Sequence, residues 1–533
     1  MYNNFVKYCL SNGAIIMPLV IDSKETGSTG LCNPSICNIG GKIRLIIRNV
    51  NYFLWKSEIE DIFNDAYGPL CYITEDSDNR LKTKNFIVDL EDETLKNITK
   101  IDTSKLDKEP LWEFVGLEDA RLVNWDGKVY ITGVRRDTTT NGQGRMELSE
   151  LNDKGEEVSR IRIESPYGDK EYCEKNWMPI IDLPYHYVRW CNPLEVVKAN
   201  PEDGSCEIVL RKEYNQDFPN LLYDDMPIRG SSQVISVGEY RIAIVHRCEL
   251  WMNEKNQRSQ ANYTENFVVW DKDWNLVKVS QPFQFADFDV EFTTGIMFEN
   301  DVFYIPFALQ DNISFLLSVG KETLFNFIFN NNTTEGKYGL TGNQIIEFFS
   351  NTKDSYLCKN LGDLYYENGQ LASAMVLYQR ACTYNTFKTL EECYQSMYMT
   401  GVCLNESNDR QNHVKSVWCH MINMMPYRSE GYYLLSKHYF KLNCFPEAYT
   451  FMNLAKNMNN FGSLGKYSGI TKYDLDTLYV ECAYNTEAYL DVDRFVADLF
   501  KSNTDVIPQD KLNTLIKYQL AIHNAKKNKK RVL

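Results

Sequence analysis

The chain has 533 residues, with 57 Lys and Arg against 72 Asp and Glu, a formal net charge of −15. That acidic balance argues against nucleic acid as a partner, because duplex affinity rests on Lys and Arg at phosphates. Hydrophobic content of 44% and aromatic content of 13% exclude global disorder.

Taken in chain order, the apolar run 14–21 is too short to span a bilayer, and no membrane span is expected. Residues 1–330 read as all-β. Short β-rich runs recur at 43–50, 129–134, 185–190, 207–210, 240–246, 267–270 and 302–307. Turn signals bound them: Gly40-Gly41, Asp126-Gly127, Asp203-Gly204, Asn300-Asp301. Many short antiparallel strands over this length suit a propeller better than one sandwich. Residues 331–353 begin polar and read as a linker.

From 354 to 533 the period changes to 3.6 residues. The segment 361–381 matches a tetratricopeptide unit, with small residues (Gly362, Ala374, Ala381) facing large ones (Leu361, Tyr365, Tyr378). Degenerate copies follow at 396–424 and 431–456, and 471–527 reads as capping helices. An ordinary helical bundle is the alternative. The basic run 526–531 reads as a solvated helix end.

The fifteen cysteines hold no Cys-x-x-Cys pair and the six histidines are scattered, so no metal site is expected. Free thiols in this number suit a reducing, cytoplasmic compartment.

Six polar clusters in the β region recur at roughly one blade's spacing: Asn33-Pro34-Ser35 with Arg48-Asn49; Glu118-Asp119-x-Arg121; Glu174-Lys175-Asn176-Trp177; Arg229-Gly230-Ser231-Ser232-Gln233 with His246-Arg247; Asp289-Val290-Glu291; and Gln310-Asp311-Asn312. In a propeller the innermost strand of each blade faces the axis, so distant clusters can meet in one central pocket. Glu118, Asp119 and Arg121 place three charges within four residues, which suits a carboxylate that handles a proton beside an arginine that holds an anion or a hydroxyl-rich ligand. Blander uses stay open: Trp177 as core or sugar platform, His246 as core or ligand, Arg229–Ser232 as a plain turn.

The Gly-x-Glu-Asp-x-Arg segment at 116–121, the Asn-Trp-Met-Pro segment at 176–179 and the Arg-Gly-x-Ser-Gln segment at 229–233 together resemble the five-bladed propeller of glycoside hydrolase family 130. That family contains β-mannoside phosphorylases, and the mannosyltransferase/phosphorylase enzymes of glycosyltransferase family 108 share its fold. The resemblance covers roughly residues 30–320. One departure is Ala120, where the family usually has Pro.

The resemblance implies that Asp119 is the acid/base, acting through a sugar hydroxyl. Asn49, Glu118, Arg121, Asn176, Trp177, Glu291 and Asp311 would contact the sugar. Arg48, Lys175, Arg229, Ser231, His246 and Arg247 would contact phosphate or a nucleotide diphosphate, for which charged, multidentate donors are suited. No cofactor is required; phosphate or a nucleotide-sugar donor is the co-substrate. The expected function is an inverting glycosyltransferase using a nucleotide sugar or sugar 1-phosphate. A β-mannoside phosphorylase or hydrolase, or a non-catalytic glycan-binding scaffold, are the alternatives. The helical repeats would dock the acceptor or a protein partner.

Overall fold

A computed structural model of the chain describes residues 3–55, 71–168, 173–214, 228–253, 258–407, 409–458, 469–501 and 507–532. It divides into two compact units, Met1–Thr386 and Phe387–Leu533.

The first unit is a five-bladed propeller. From the axis outward, the first blade runs Leu31–Ile39, Lys42–Val50, Leu81–Glu91, Thr94–Lys100. The second runs Leu117–Trp125, Lys128–Arg135, Arg145–Leu151, Glu157–Arg162. The third runs Met178–Pro179, His186–Cys191, Leu194–Ala199, Cys206–Lys212. In the fourth, the short strands Arg229–Gly230 and Ile235–Val237 pair with Tyr240–Asn253, followed by Arg258–Asp271 and Leu276–Val279.

The fifth blade closes the ring. Glu291–Phe292 and Met297–Glu299 pair with Val302–Leu309, which pairs with Ile313–Gly320. Its outermost strand is Ile15–Pro18, from the other end of the unit, with Ile16 opposite Leu317. Asn3–Asn4 likewise adds a parallel pair to Phe283–Gln284, beside the fourth blade.

The strand runs expected from periodicity fall within or against these elements, and the turn residues explain why the strands reverse where they do. Gly40-Gly41 and Asn300-Asp301 each place two successive residues at positive φ (61° and 81°; 51° and 59°). That backbone matches the twist of the flanking strands in a two-residue hairpin.

Gln233 sits at the hub, fully buried. Its Nε2 lies 2.8 Å from Ser35 Oγ, 2.9 Å from Ile36 O and 3.0 Å from Leu122 O. Its Oε1 accepts from the Ile296 N–H at 2.9 Å. One amide therefore ties the inner strands of the first, second and fifth blades to its own, the fourth.

Strand periodicity ends near residue 330, but the compact unit continues to Thr386. The helices Ser355–Glu367 and Leu371–Tyr384 pair with each other, and a Cβ on Gly362 would stand 3.0 Å from the Tyr378 ring. Polar contacts fasten this pair to the propeller. The Ala372 N–H donates to Thr29 O (2.7 Å), Gln370 Nε2 donates to Ile21 O, and Arg380 Nη2 donates to Asp287 O (2.9 Å) with its guanidinium over Phe288.

The second unit is all-α: Leu390–Glu406, Gln411–Met424, Ser429–Lys441, Phe445–Met458, Lys472–Asn485, Tyr489–Lys501 and Gln509–Val532. Capping boxes start two of them, at Thr389/Glu392 and Thr471/Asp474. Among the described residues the cysteines are free thiols, no group of three or more His, Cys, Asp or Glu could hold a metal ion, and no helix is long and apolar enough to cross a membrane.

Candidate active site

The site begins with a break in strand alternation. In a regular strand Glu118 and Asp119 would face opposite sides of the sheet. The register against Lys128–Arg135 shifts between Glu118 and Arg121, and Asp119 takes φ 51°, so both carboxyls line one cavity. Gly133 on the neighbouring strand makes room: a Cβ there would lie 2.3 Å from Glu118 O. The first blade repeats the device, with a shift between Cys32 and Ser35 and Asn33 at φ 45°. The third blade offers Asn176 at φ 63°, and the hairpin turn of the fifth offers Asp311 at φ 49°.

These residues border a cavity of about 420 Å³. Its lining includes the carboxyl groups of Glu118, Asp119 and Asp311. Asp119 Oδ1 accepts from Arg48 Nη1 at 2.9 Å and from Asn33 Nδ2 at 2.8 Å. Arg48 also donates to Thr83 Oγ1 (3.2 Å) and Tyr52 OH (3.4 Å), and lies 3.8 Å from Glu118 Oε2. Lys175, Arg229 and His246 line the same cavity, together with the aromatic walls Tyr52, Tyr72, Phe114, Tyr263 and Phe292.

The three carboxyls differ electrostatically. Burial works to raise Asp119, but Arg48, Arg121, the Asn33 hydrogen bond and Lys175 outweigh it and hold the carboxyl below its ordinary value. Burial raises Glu118 despite Arg48, with Asp119 adding to the rise, and Glu118 Oε1 is buried without a partner. Burial also raises Asp311, against the pull of Arg48. Neighbouring carboxyls whose environments push them apart can divide acid and base roles. Here Asp119 is the carboxyl held toward its ionised form, which suits a base.

His246 is held neutral. Burial, then Arg229, Lys175 and Arg121, lower it from 6.5 to about 3. Between those two values the unfolded chain binds a proton that the folded chain refuses, so this group's contribution to stability falls as pH drops through the window. His246→Gln should flatten the fall in Tm between about pH 6.5 and 4. Equal slopes for variant and parent would remove His246 as the cause.

Of the residues expected from sequence, the cavity gathers Asp119, Glu118, Asn176, Asp311, Arg48, Lys175, Arg229 and His246. Arg48 is there as the clamp on Asp119, so its guanidinium is already engaged rather than free for a phosphate. The others lie outside the lining. Glu291 accepts backbone N–H groups from Phe285, Ala286 (2.9 Å) and Phe288 (2.7 Å), which organise a loop; burial still lifts it to about 8. Trp177 is core, its Nε1 donating to Glu174 Oε2 at 3.0 Å. Arg121 lies fully buried, donating to Ser231 O (3.0 Å) and Asp119 O (2.6 Å), and so braces the bulge instead of meeting a sugar. Asn49 is buried within its strand opposite Leu31, Ser231 is buried behind His246, and Arg247 stands opposite Thr264.

Asn33, Tyr52, Tyr72, Phe114, Cys248, Tyr263, Val290 and Phe292 complete the lining without having been assigned a role. Asn33 and Val290 stood inside polar clusters that the sequence displayed. Tyr72 and Tyr263 had no local signal.

A larger space of about 860 Å³ opens beside the first two blades, across the 115–117 segment. Its ions answer one another: the buried Arg135 with Glu147 (2.7 Å) and Asp137 (3.4 Å), and the half-buried Arg160 with the exposed Asp107 (2.8 Å). The smaller cavity differs in that burial raises two of its carboxyls, Glu118 and Asp311.

No protein-family profile matches the sequence, and no curated protein matches it. Among solved structures the chain is similar to a glycoside hydrolase-like protein from Parabacteroides distasonis (13% identity, 54% of this chain and 86% of that one, TM-score 0.38). It is also similar to a β-1,2-mannobiose phosphorylase from Listeria innocua (12%, 56% and 91%, TM-score 0.34). A third is MPT-1, a GDP-Man-dependent mannosyltransferase from Leishmania mexicana (12%, 55% and 85%, TM-score 0.31).

Proposed function

We propose that the protein is a carbohydrate-active enzyme, an inverting glycosyltransferase whose donor carries phosphate. The observation that carries this reading is the axial cavity itself: an ionised Asp119 clamped by Arg48 and Asn33, in one space with Lys175, Arg229 and a neutral His246. The cations receive the donor's phosphoryl oxygens. The aromatic rings and Asp311 hold the sugar. Asp119 takes the acceptor hydroxyl's proton, directly or through a sugar hydroxyl, as the acceptor oxygen bonds to the anomeric carbon and the phosphate leaves from the opposite face. An ionised resting Asp119 favours this direction, since phosphorolysis would start from the protonated acid. The motif at 116–121 points to the same chemistry. In this reading the helical unit docks the acceptor or a protein partner, and the thiol-rich chain works in the cytoplasm.

Thermal shift against nucleotide sugars and sugar 1-phosphates tests the donor class. A ligand at 100 times its Kd stabilises by about 2.7 kcal/mol. Lys175→Met and Arg229→Met should each weaken a stabilising donor about 10–100-fold, the range expected for a lost hydrogen bond to a charged group. Phosphate-dependent release from p-nitrophenyl β-mannoside, with no sugar transfer from any donor, would replace this reading with a phosphorylase.

A further inference from the structure

Behind the cavity wall lies a carboxyl group that the mechanism above does not use. Glu265, on the strand Arg258–Asp271, is fully buried. Its Oε2 stands 3.3 Å from Ser231 Oγ, and its Oε1 has no hydrogen-bond partner. Among the described residues no cation pairs with it. Glu291 is the nearby carboxyl that adds to the rise and, unlike Glu265, receives backbone N–H donors.

A carboxylate placed in this way would lose its hydration for a single hydroxyl contact, a cost of several kcal/mol. Glu265 therefore keeps its proton; burial pushes it well above the ordinary range. A neutral carboxylic acid has a hydrogen to donate. Ser231 Oγ stands 2.9 Å from His246 Nδ1. Acid, hydroxyl and imidazole thus form one buried chain, and the imidazole ends it in the cavity wall.

We propose that Glu265 is a positioning residue that fixes the tautomer of His246 through Ser231. The Glu265 O–H donates to Ser231 Oγ, the Ser231 O–H donates to Nδ1, and the imidazole proton resides on Nε2. The ring then meets the cavity as a hydrogen-bond donor. Were Glu265 ionised, the chain would run the other way: Nδ1–H to Ser231, Ser231 to the carboxylate, and a bare Nε2 lone pair left for the ligand. One interior proton decides whether His246 attracts or repels an anionic oxygen. The charged groups facing the ring are Arg229, Lys175, Arg121 and Asp119; burial first, and then the cations, keep it uncharged, so its donor character comes from the tautomer. The anion is that of the reading above, on which this role for His246 rests.

The test is a long-range ¹H–¹⁵N NMR spectrum of the full-length protein labelled at imidazole nitrogens, without ligand at pH 7.5. The His246 signal is assigned by its loss in His246→Gln. The expected result is a pyridine-type Nδ1 and a pyrrole-type Nε2. Ser231→Ala and Glu265→Leu should mix or reverse the two types and weaken binding of inorganic phosphate about tenfold, the effect of one charge-assisted hydrogen bond. Glu265→Gln, whose amide can still donate to Ser231, should keep the parent pattern. A pyrrole-type Nδ1 in the parent, or the parent pattern in Ser231→Ala, would overturn the inference. If Glu265→Leu does not fold, the parent and Ser231→Ala spectra decide. The expected tautomer without any binding of phosphate or phosphorylated sugars would remove the function proposed above and leave this inference standing.

Discussion

Asp119→Asn should lower turnover about 10²–10⁴-fold, the usual worth of a positioned acid or base. The substitution keeps the shape of the side chain and one oxygen for Arg48 and Asn33, so the bulge and the cavity should persist. What is lost is the ability to take a proton. Arg48 is left buried beside Glu118 at 3.8 Å, Tyr52 and Thr83, which retain it in place. Donor binding should therefore survive, read as an unchanged thermal shift with a stabilising sugar phosphate, while transfer disappears. Full turnover in this variant would remove Asp119 as the group that moves the proton, and absence of transfer in the parent as well would leave a glycan-binding scaffold as the account of the protein. Loss of binding along with activity would mean that the carboxylate serves to hold ligand and not to move a proton.

The second large effect concerns stability. Gln233→Leu fills nearly the same volume but strands Ile36 O, Leu122 O and the Ile296 N–H at the axis. Each buried polar group left without a partner costs about 1–3 kcal/mol, so a loss of about 3 kcal/mol or more is expected. Urea unfolding followed by tryptophan fluorescence reports on it, since Trp125, Trp177 and Trp270 are all buried in the propeller. A change below about 1 kcal/mol would mean that the strands hold their places at the hub without this amide.

The fold was legible because its signals are local. Alternating strands and paired positive-φ turns at Gly40-Gly41 and Asn300-Asp301 declare antiparallel hairpins, and the recurrence of polar clusters declares an axis. The helical region announced itself by period, and the Gly362–Tyr378 contact follows from small and large residues at repeat spacing. The site was legible where a cluster lay at a positive-φ break in the chain, as at Glu118-Asp119 and Asn176. It was not legible where orientation decides. Arg121 is two residues from Asp119, yet it points under the floor to Ser231 O. Glu291 looks like a sugar ligand in sequence, but the loop 285–288 folds its amides onto it. Trp177 follows a site asparagine and turns into the core. Tyr72 and Tyr263 reach the cavity only because the blades bring distant segments together.

The strand Ile15–Pro18 carries a consequence for how the molecule is made. It leaves the ribosome well before its partner, Ile313–Gly320, which lies about 300 residues further along the chain. At ordinary synthesis rates of about 5–20 residues per second, the early segment waits tens of seconds with its edge uncovered. Contacts so far apart in sequence also slow folding. Birth of this protein thus includes an interval in which four blades can assemble while the clasp has nothing to grip, and it is then that a chaperone has most to protect.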